Sequence, residues 1–471
     1  MLNFYPEKVF EYFEKISSIP HGSYNCTAIA DYLEAFAKEK NLSCHRDGAN
    51  NVVIYKNAGS GFEDAEPVIL QGHTDMVCAS EGDFDFINNA ISIDSDGEYV
   101  FAKGTTLGGD NGIAVAMMLA VLDSDEAYPP LECVFTSDEE VGMVGAIALD
   151  MSYLKGKRMI NVDSEVEGVF TIGCAGGVSC EINLPVSYNT VSAPCYRFEL
   201  KGLHGGHSGV EINNDYVNGI RLMADFLSEI YGENTVMISQ INGGAADNAI
   251  PKNGSCTFIC EGMGEDELRS VAEGLMSAVR EANNEPDADF VLDSLGVCEA
   301  KAVVNTDEVL SLIKSLPDGV LAYETHMPGS VKTSCNTGVV SLSDDNFVLR
   351  MSLRSSVNAD RDALADSVAN TVDFIGAECE FSGSYPAWEP VADSSLCTKA
   401  KEVYVRMFEK EPVVEVIHAG LECSVFSDRI KDFDCVSIGP DMIGIHTPEE
   451  KLNIRSVGRV YDYLCELLKN I

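Results

Sequence analysis

The chain has 471 residues, of which 45% are hydrophobic and 23% charged, an ordinary globular balance at a length that predicts roughly two to four domains. Its 75 acidic against 32 basic residues give a formal net charge of −43. That charge excludes a nucleic-acid partner, which needs cations to displace counterions, and argues against an anionic membrane surface. Most of the acids read as solvating, with a minority free to gather divalent cations. No apolar run reaches the roughly 18 residues of a membrane span. The N-terminus shows no charged segment leading into an apolar one, so neither a secretory signal nor a membrane partner is expected. The 16 Cys form no Cys-X-X-Cys pair and read as reduced, mostly buried thiols of a cytoplasmic protein.

Pro6 to Ile19 carries Val9, Phe10, Phe13 and Ile16 at helical spacing, and Thr27 to Lys40 carries Ile29, Leu33 and Phe36, so both read as amphipathic helices. Asn51 to Tyr55 is a short strand. Val68 to Gln71 is a buried strand running into Gly72-His-Thr-Asp75. Residues two apart on extended backbone point the same way, so His73 and Asp75 leave its end together. A metal-binding histidine and the carboxylate that orients it have this arrangement. Taken alone, the pair reads first as a satisfied structural histidine.

A polar loop from Glu81 to Gly97 leads to the strand Tyr99 to Ala102, then to Gly104-Thr-Thr-Leu-Gly-Gly-Asp-Asn-Gly112 and the apolar helix Ile113 to Leu122. A Gly-rich loop before a helix can cradle an anion, but this one lacks the Gly-Lys-Ser/Thr ending. It places Asp110 just ahead of the helix, where free amides and the helix dipole favour a carboxylate; a plain N-cap is an equal reading. Leu131 to Thr136 is a strand that delivers Ser137-Asp-Glu-Glu-Val-Gly142. Adjacent Glu139 and Glu140 cannot both face one way. Either one binds a cation while the other faces a substrate, or the run is a solvated acidic turn. Arg158 to Ser164 is a further strand bearing Asp163.

From Val186 the pattern changes. The strand Tyr196 to Lys201 ends in Gly202-Leu-His-Gly-Gly-His-Ser-Gly209. Helical periods follow at Tyr216 to Tyr231, Glu265 to Asn283 and Asp360 to Phe374, with strands at Thr257 to Cys260 and Phe347 to Leu353. This is an α+β insertion, closed by Tyr385-Pro-Ala-Trp-Glu-Pro390. The first pattern then resumes with the helix Ser395 to Lys410 and the strands Pro412 to His418 and Cys435 to Gly439. The loop Pro440 to Pro448 carries His446, and the helix Ser456 to Lys469 ends the series.

Sites in open α/β sheets collect at the carboxyl ends of strands, and here those ends supply His73, Asp110, Glu140, Asp163 and His446. Imidazole and carboxylate without thiolate suit Zn²⁺, Co²⁺ or Mn²⁺. The set exceeds what a single catalytic zinc takes and fits two metals about 3.5 Å apart sharing a carboxylate. Two divalent cations would be neutralised by the three carboxylates and one hydroxide.

In that order, His73-Thr-Asp75, Gly108-Gly-Asp-Asn-Gly112, Asp138-Glu-Glu140, Asn161-Val-Asp163 and His446-Thr-Pro448 resemble the M20 metallopeptidases with two co-catalytic zincs. Lys201 to Gly209, Asp247-Asn-Ala-Ile-Pro251, Ser352-Leu-Arg-Ser355 and Ile417-His-Ala-Gly-Leu-Glu-Cys423 extend the resemblance over nearly the whole chain, most closely to the aminoacylhistidine (Xaa-His) dipeptidases. The resemblance implies an α/β fold: a zinc-exopeptidase-like catalytic domain, 1–185 and 388–471, with a mixed sheet flanked by helices. It also implies an inserted α+β lid, 186–387, which hinges near 185 and 388, and a homodimer. In that family Asp110 would bridge both metals, with His73 and Asp163 completing one site and Glu140 and His446 the other. Asp75 would clamp His73, the peptide bond after Asp110 would be cis, and Glu139 would be the general base for a metal-bridging water. His207 would stabilise the oxyanion from the lid of the other subunit, although by itself it reads as a surface-loop histidine. Asn248 and Arg354 would bind the substrate backbone and C-terminal carboxylate, and Gly420 would let backbone approach the substrate. Arg354 by itself reads equally as a strand-surface charge, and His418 as structural.

The implied activity is a metal-dependent dipeptidase acting on small peptides, Xaa-His among them, with two divalent ions, zinc first. Another M20 amidohydrolase, an N-acyl-amino-acid deacylase or tripeptidase, is the alternative. A metal-dependent peptide-binding protein without turnover is a third reading, against which Asp75 and Glu139 both stand.

Overall fold

The computed structural model describes every residue except 1, 233, 284 and 326. The chain forms two compact units: 1–174 with 388–416 and 421–471, and 175–387 with 417–420.

The first unit is built on an eight-stranded mixed sheet. Its strands run in the order Ser43–Arg46, Val52–Lys56, Leu131–Thr136, Val68–His73, Arg158–Asn161, Asp434–Ser437, Val169–Cys174 and Val413–Ile417. Val68–His73 pairs in parallel with Leu131–Thr136 and with Arg158–Asn161, and Asp434–Ser437 extends the parallel set. Val68–His73 and Leu131–Thr136 are buried along their whole length, as expected of parallel strands covered on both faces. The helix Gly109–Asp123 is buried on every side from Gly112 to Leu122, so its sequence lacks a polar stripe. Glu7–Ser17, Thr27–Glu39, Ser395–Phe408 and Ile454–Leu468 supply the rest of this core.

A parallel set aligns its carboxyl ends on one edge, and the loops after His73, Thr136 and Asn161 therefore leave together. His446 arrives by another route. A four-stranded sheet orders Met442–Ile443, Lys451–Asn453, Tyr99–Ala102 and Ile93–Ser95, and the hairpin between its first two members carries His446.

The second unit is a nine-stranded antiparallel sheet ordered Asp289–Val303, Tyr188–Lys201, Gly254–Glu261, Thr235–Gly243, Val331–Leu342, Asn346–Ser355, Gly176–Pro185 and Glu378–Tyr385. Gly319–Tyr323 pairs with Val331–Leu342. Gly219–Tyr231, Glu265–Ala282, Thr306–Ser315 and Asn358–Ile375 contribute to its core.

Two sequence expectations need correcting here. The first boundary falls at 174/175 rather than after 185, because Gly176–Pro185 is hydrogen-bonded along its length to Asn346–Ser355 inside the second sheet. The thiols are not all reduced: Cys195 and Cys298 form a disulfide, since Tyr188–Lys201 and Asp289–Val303 lie side by side with Ala193 opposite Cys298. The other 14 Cys are free and only Cys78 is exposed. Among the described residues, no helix is long and apolar enough to cross a membrane.

Candidate metal centre

His73 ends its strand at 1% exposure. Its Nδ1 lies 3.0 Å from the Asp75 carbonyl and 3.4 Å from Asp75 Oδ1. Asp75 does more than face the ring. Its carboxylate accepts from Ser23 Oγ at 2.8 Å and from the backbone amides of Glu139 at 2.9 Å and Glu140 at 3.3 Å. One buried acid thus ties the end of Val68–His73 to the acidic turn that follows Leu131–Thr136. Asn111 adds a second tie, accepting from the His73 amide at 3.2 Å and donating to the Val162 carbonyl at 2.7 Å.

His73 Nε2 faces Asp110 Oδ1 at 3.2 Å and Asp163 Oδ1 at 3.6 Å. His446 Nε2 faces Asp110 Oδ2 at 3.2 Å and Glu140 Oε2 at 3.0 Å. The two oxygens of Asp110 are therefore divided between two donor sets. His73, Asp110 and Asp163 have ligand atoms within 4.8 Å of one another, as do Asp110, Glu140 and His446, and as do His73, Glu139 and Glu140. The turn that presents the two glutamates passes through Asp138 at φ 51°, and the loop backbone at His446 has φ 61°. The Asp110–Asn111 peptide bond is cis.

The Gly-rich loop does hold an anion, and the anion belongs to the protein. Glu450, 2% exposed, accepts from the amides of Leu107 at 2.7 Å, Gly108 at 3.1 Å, Gly109 at 2.8 Å and Asp110 at 3.2 Å. A Cβ on Gly109 would stand 3.1 Å from Glu450 Oε1, so a larger residue would crowd this cradle. Glu450 and Asn111 were missed in the sequence, where Glu450 is one of two adjacent acids after His446-Thr-Pro448. E450A leaves those amides without their acceptor. It is expected to cost at least about 3 kcal/mol of stability and to weaken metal binding by misplacing Asp110, to be read from urea midpoints and metal titration.

Electrostatics point to cations. Burial raises Asp163 and Glu139 well above the usual carboxylate range; His73 opposes this in both, while neighbouring acids add to it. Burial also works against the His73 cation, but Asp163, Asp110 and Asp75 outweigh it and raise its pKa well above the ordinary value. Hydrogen bonds to the Asp110 and Glu140 carboxylates push His446 up to about 11. Burial disfavours charged Asp110 too, yet His446 and His73 hold it well below the usual range. Two imidazoles are a thin counterweight to four converging acids, and divalent ions are the charge such a site takes. Nitrogen and carboxylate donors without thiolate fit Zn²⁺, Co²⁺ or Mn²⁺.

The remaining sequence candidates lie in the second unit. His207 sits on the short strand Gly206–His207, opposite Ala249. Its Nδ1 accepts from the amides of Gly209 and Val210, both at 3.1 Å, which leaves the ring proton of the neutral form on Nε2. Asn248 is exposed, in the turn before Ala249, and its carbonyl accepts from the Ser208 amide at 2.9 Å. Arg354, 7% exposed, donates through Nη1 to Tyr385 Oη at 2.8 Å. Gly420 lies in the turn after Val413–Ile417.

A profile of the Peptidase family M20/M25/M40 matches residues 69–470. The cytosol non-specific dipeptidase of Escherichia coli is 38% identical over 99% of this chain and 98% of its own. The crystal structure of the aminoacylhistidine dipeptidase from Vibrio alginolyticus superposes with a TM-score of 0.88 at 34% identity, covering 99% of this chain and 97% of that one. An aminopeptidase from Bacillus cereus shares the fold alone, with a TM-score of 0.58 at 15% identity over 99% of each chain. A profile that spans the candidate ligands from His73 to His446, and a relative matched nearly end to end, establish that the chain belongs to the peptidase family M20/M25/M40.

Proposed function

We propose that the chain is a dipeptidase of broad tolerance, with C-terminal His among its substrates, working with two divalent cations, zinc first. The observation that carries this reading is the division of Asp110 between the His73–Asp163 and His446–Glu140 sets. His73 and Asp163 would hold one ion and Glu140 and His446 the other, with Asp110 available to both. When bound, the pair would supply Lewis-acid polarisation of the scissile carbonyl and a water with a pKa of about 7.

Asp75 fixes the His73 ring through Nδ1. Its grip on the amides of Glu139 and Glu140 holds the base in register with the ligands. Glu139 takes a proton from the attacking water and passes it to the leaving amine. His207 donates Nε2–H to the developing oxyanion, which its Nδ1 partners make possible by fixing the tautomer. Arg354 and Asn248 hold the C-terminal carboxylate and backbone of the substrate, and Gly420 leaves room for that backbone. A homodimer in the cytoplasm belongs to the same reading.

The test is a panel of dipeptides, tripeptides and N-acetyl amino acids, offered to protein stripped with chelator and reloaded with Zn²⁺, Co²⁺ or Mn²⁺. Stripping is expected to abolish turnover and reloading to restore it. Dipeptides should outrun the other classes by about tenfold or more, a discrimination within reach of pocket contacts. Faster cleavage of tripeptides or N-acetyl amino acids would assign another amidohydrolase, and peptide binding without turnover would remove the enzyme reading.

A further inference from the structure

Val68–His73, Leu131–Thr136 and Arg158–Asn161 lie side by side, with Gln71 opposite Asn161 and His73 opposite Thr136. Parallel strands covered on both faces are ordinarily apolar throughout. Gln71, Thr136 and Asn161 interrupt that pattern, each at 0% exposure. Gln71 stands two residues before His73, and Asn161 two before Asp163. Alternate residues of a strand share a face, so a buried polar layer lies one step behind the candidate ligands.

The layer is bonded to itself and to one acid. Asn161 Nδ2 donates to Gln71 Oε1 at 2.6 Å. Gln71 Nε2 donates to Thr136 Oγ1 at 3.1 Å and to Glu422 Oε2 at 2.5 Å. Thr136 Oγ1 donates to the same Glu422 oxygen at 2.6 Å. Glu422 precedes the short helix Cys423–Arg429, belongs to the same unit as these strands and is 0% exposed.

Both bonds fall on one oxygen, and neither donor is charged. Glu422 Oε1 is buried and, among the described residues, has no hydrogen-bond partner. As a brace for Gln71 and Thr136 a glutamine would serve equally, because one amide oxygen can accept both bonds. What glutamate adds is charge, and an unpaired charge in the interior is destabilising. Burial pushes the pKa of Glu422 up to about 7, against the pull of His73 and of the bonds from Thr136 and Gln71, while Asp75 adds to the rise. Its charge also reaches Asp163 and Glu139, although Glu422 belongs to none of the candidate donor sets. An acid that is superfluous as a brace and unfavourable as a lone ion fits a place beside bound cations.

We infer that Glu422 determines metal affinity from outside the ligand set: its buried carboxylate, fixed by Gln71 and Thr136, supplies negative charge that strengthens the binding of divalent cations at the neighbouring centre. This rests on the metal-dependent reading above and adds to it a source of affinity other than the ligands.

Two substitutions separate charge from bracing. E422Q keeps an oxygen for Gln71 and Thr136 and removes the charge. E422D keeps the charge and withdraws its oxygens from both donors. Each protein is stripped with chelator, checked for fold by circular dichroism and titrated with Zn²⁺ and Co²⁺ by calorimetry. E422Q is expected to bind the ions about tenfold more weakly than the wild type or worse, the loss usual for a group behind the ligands. E422D should stay within about threefold, because a Coulomb attraction changes little over one methylene. A loss under about tenfold in E422Q, or a loss in E422D that matches that of E422Q, overturns the inference. If E422Q does not fold, E422D decides: affinity within about threefold of wild type supports the charge role, and a larger loss overturns it. A wild type that takes up no ion removes the metal-dependent reading and this inference with it, whereas equal binding by wild type and E422Q removes the inference alone.

Discussion

E139Q is expected to retain its fold and both metal ions while kcat falls by about 10²–10⁴-fold, the usual worth of a positioned general base. Glutamine preserves the shape and the backbone amide that donates to Asp75 at 2.9 Å, so the turn keeps its anchor. What disappears is the ability to take up a proton. Burial raises the pKa of Glu139, helped by Glu140, Glu422 and Asp110 and opposed by His73; cations bound beside it would oppose that rise. Metal content by elemental analysis and kcat by single-turnover kinetics are the two measurements. Activity within about tenfold of wild type, metal retained, would move the base elsewhere.

D110N should do something different in kind. The two oxygens of Asp110 are divided between the two histidines, at 3.2 Å each. An amide offers one oxygen and no charge, so one ion would lose a ligand and both would lose the negative charge they share. Loss of a group that merely orients a ligand already weakens metal binding about 10–100-fold; loss of a shared ligand should exceed that. Metal content after dialysis is expected to fall below two ions per chain and turnover to vanish with it. Saturating metal at about 100-fold above its dissociation constant stabilises a folded protein by about 2.7 kcal/mol, so Zn²⁺ should raise the unfolding temperature of the wild type and leave that of D110N nearly unchanged. Equal metal-dependent stabilisation of both proteins would show that Asp110 is no bridge.

The parallel strands and the metal-centre residues were legible in the sequence for one reason: chemistry and pattern coincide there. Apolar runs such as Val68 to Gln71 and Leu131 to Thr136 stop at polar, charged residues, and strand ends in a parallel sheet share an edge. The second unit was much less legible. Asp289–Val303 is exposed over most of its length, so no apolar alternation marks it, and Gly176–Pro185 was assigned to the wrong side of the boundary. Pairing with distant partners, rather than local pattern, makes these segments strands.

By itself the sequence determined the candidate ligands, the order in which they occur and the family. Those properties follow from residue type and short spacing, which survive without coordinates. Only the tertiary structure decided which oxygen of Asp110 faces which histidine, and that the anion seated on the Gly-rich loop is Glu450, 342 positions from Gly108. It alone gave Asp75 its second task. Each of these is a contact between segments far apart in the chain. Such contacts are set by how sheets and hairpins bring backbone together, and nothing in local propensity encodes that.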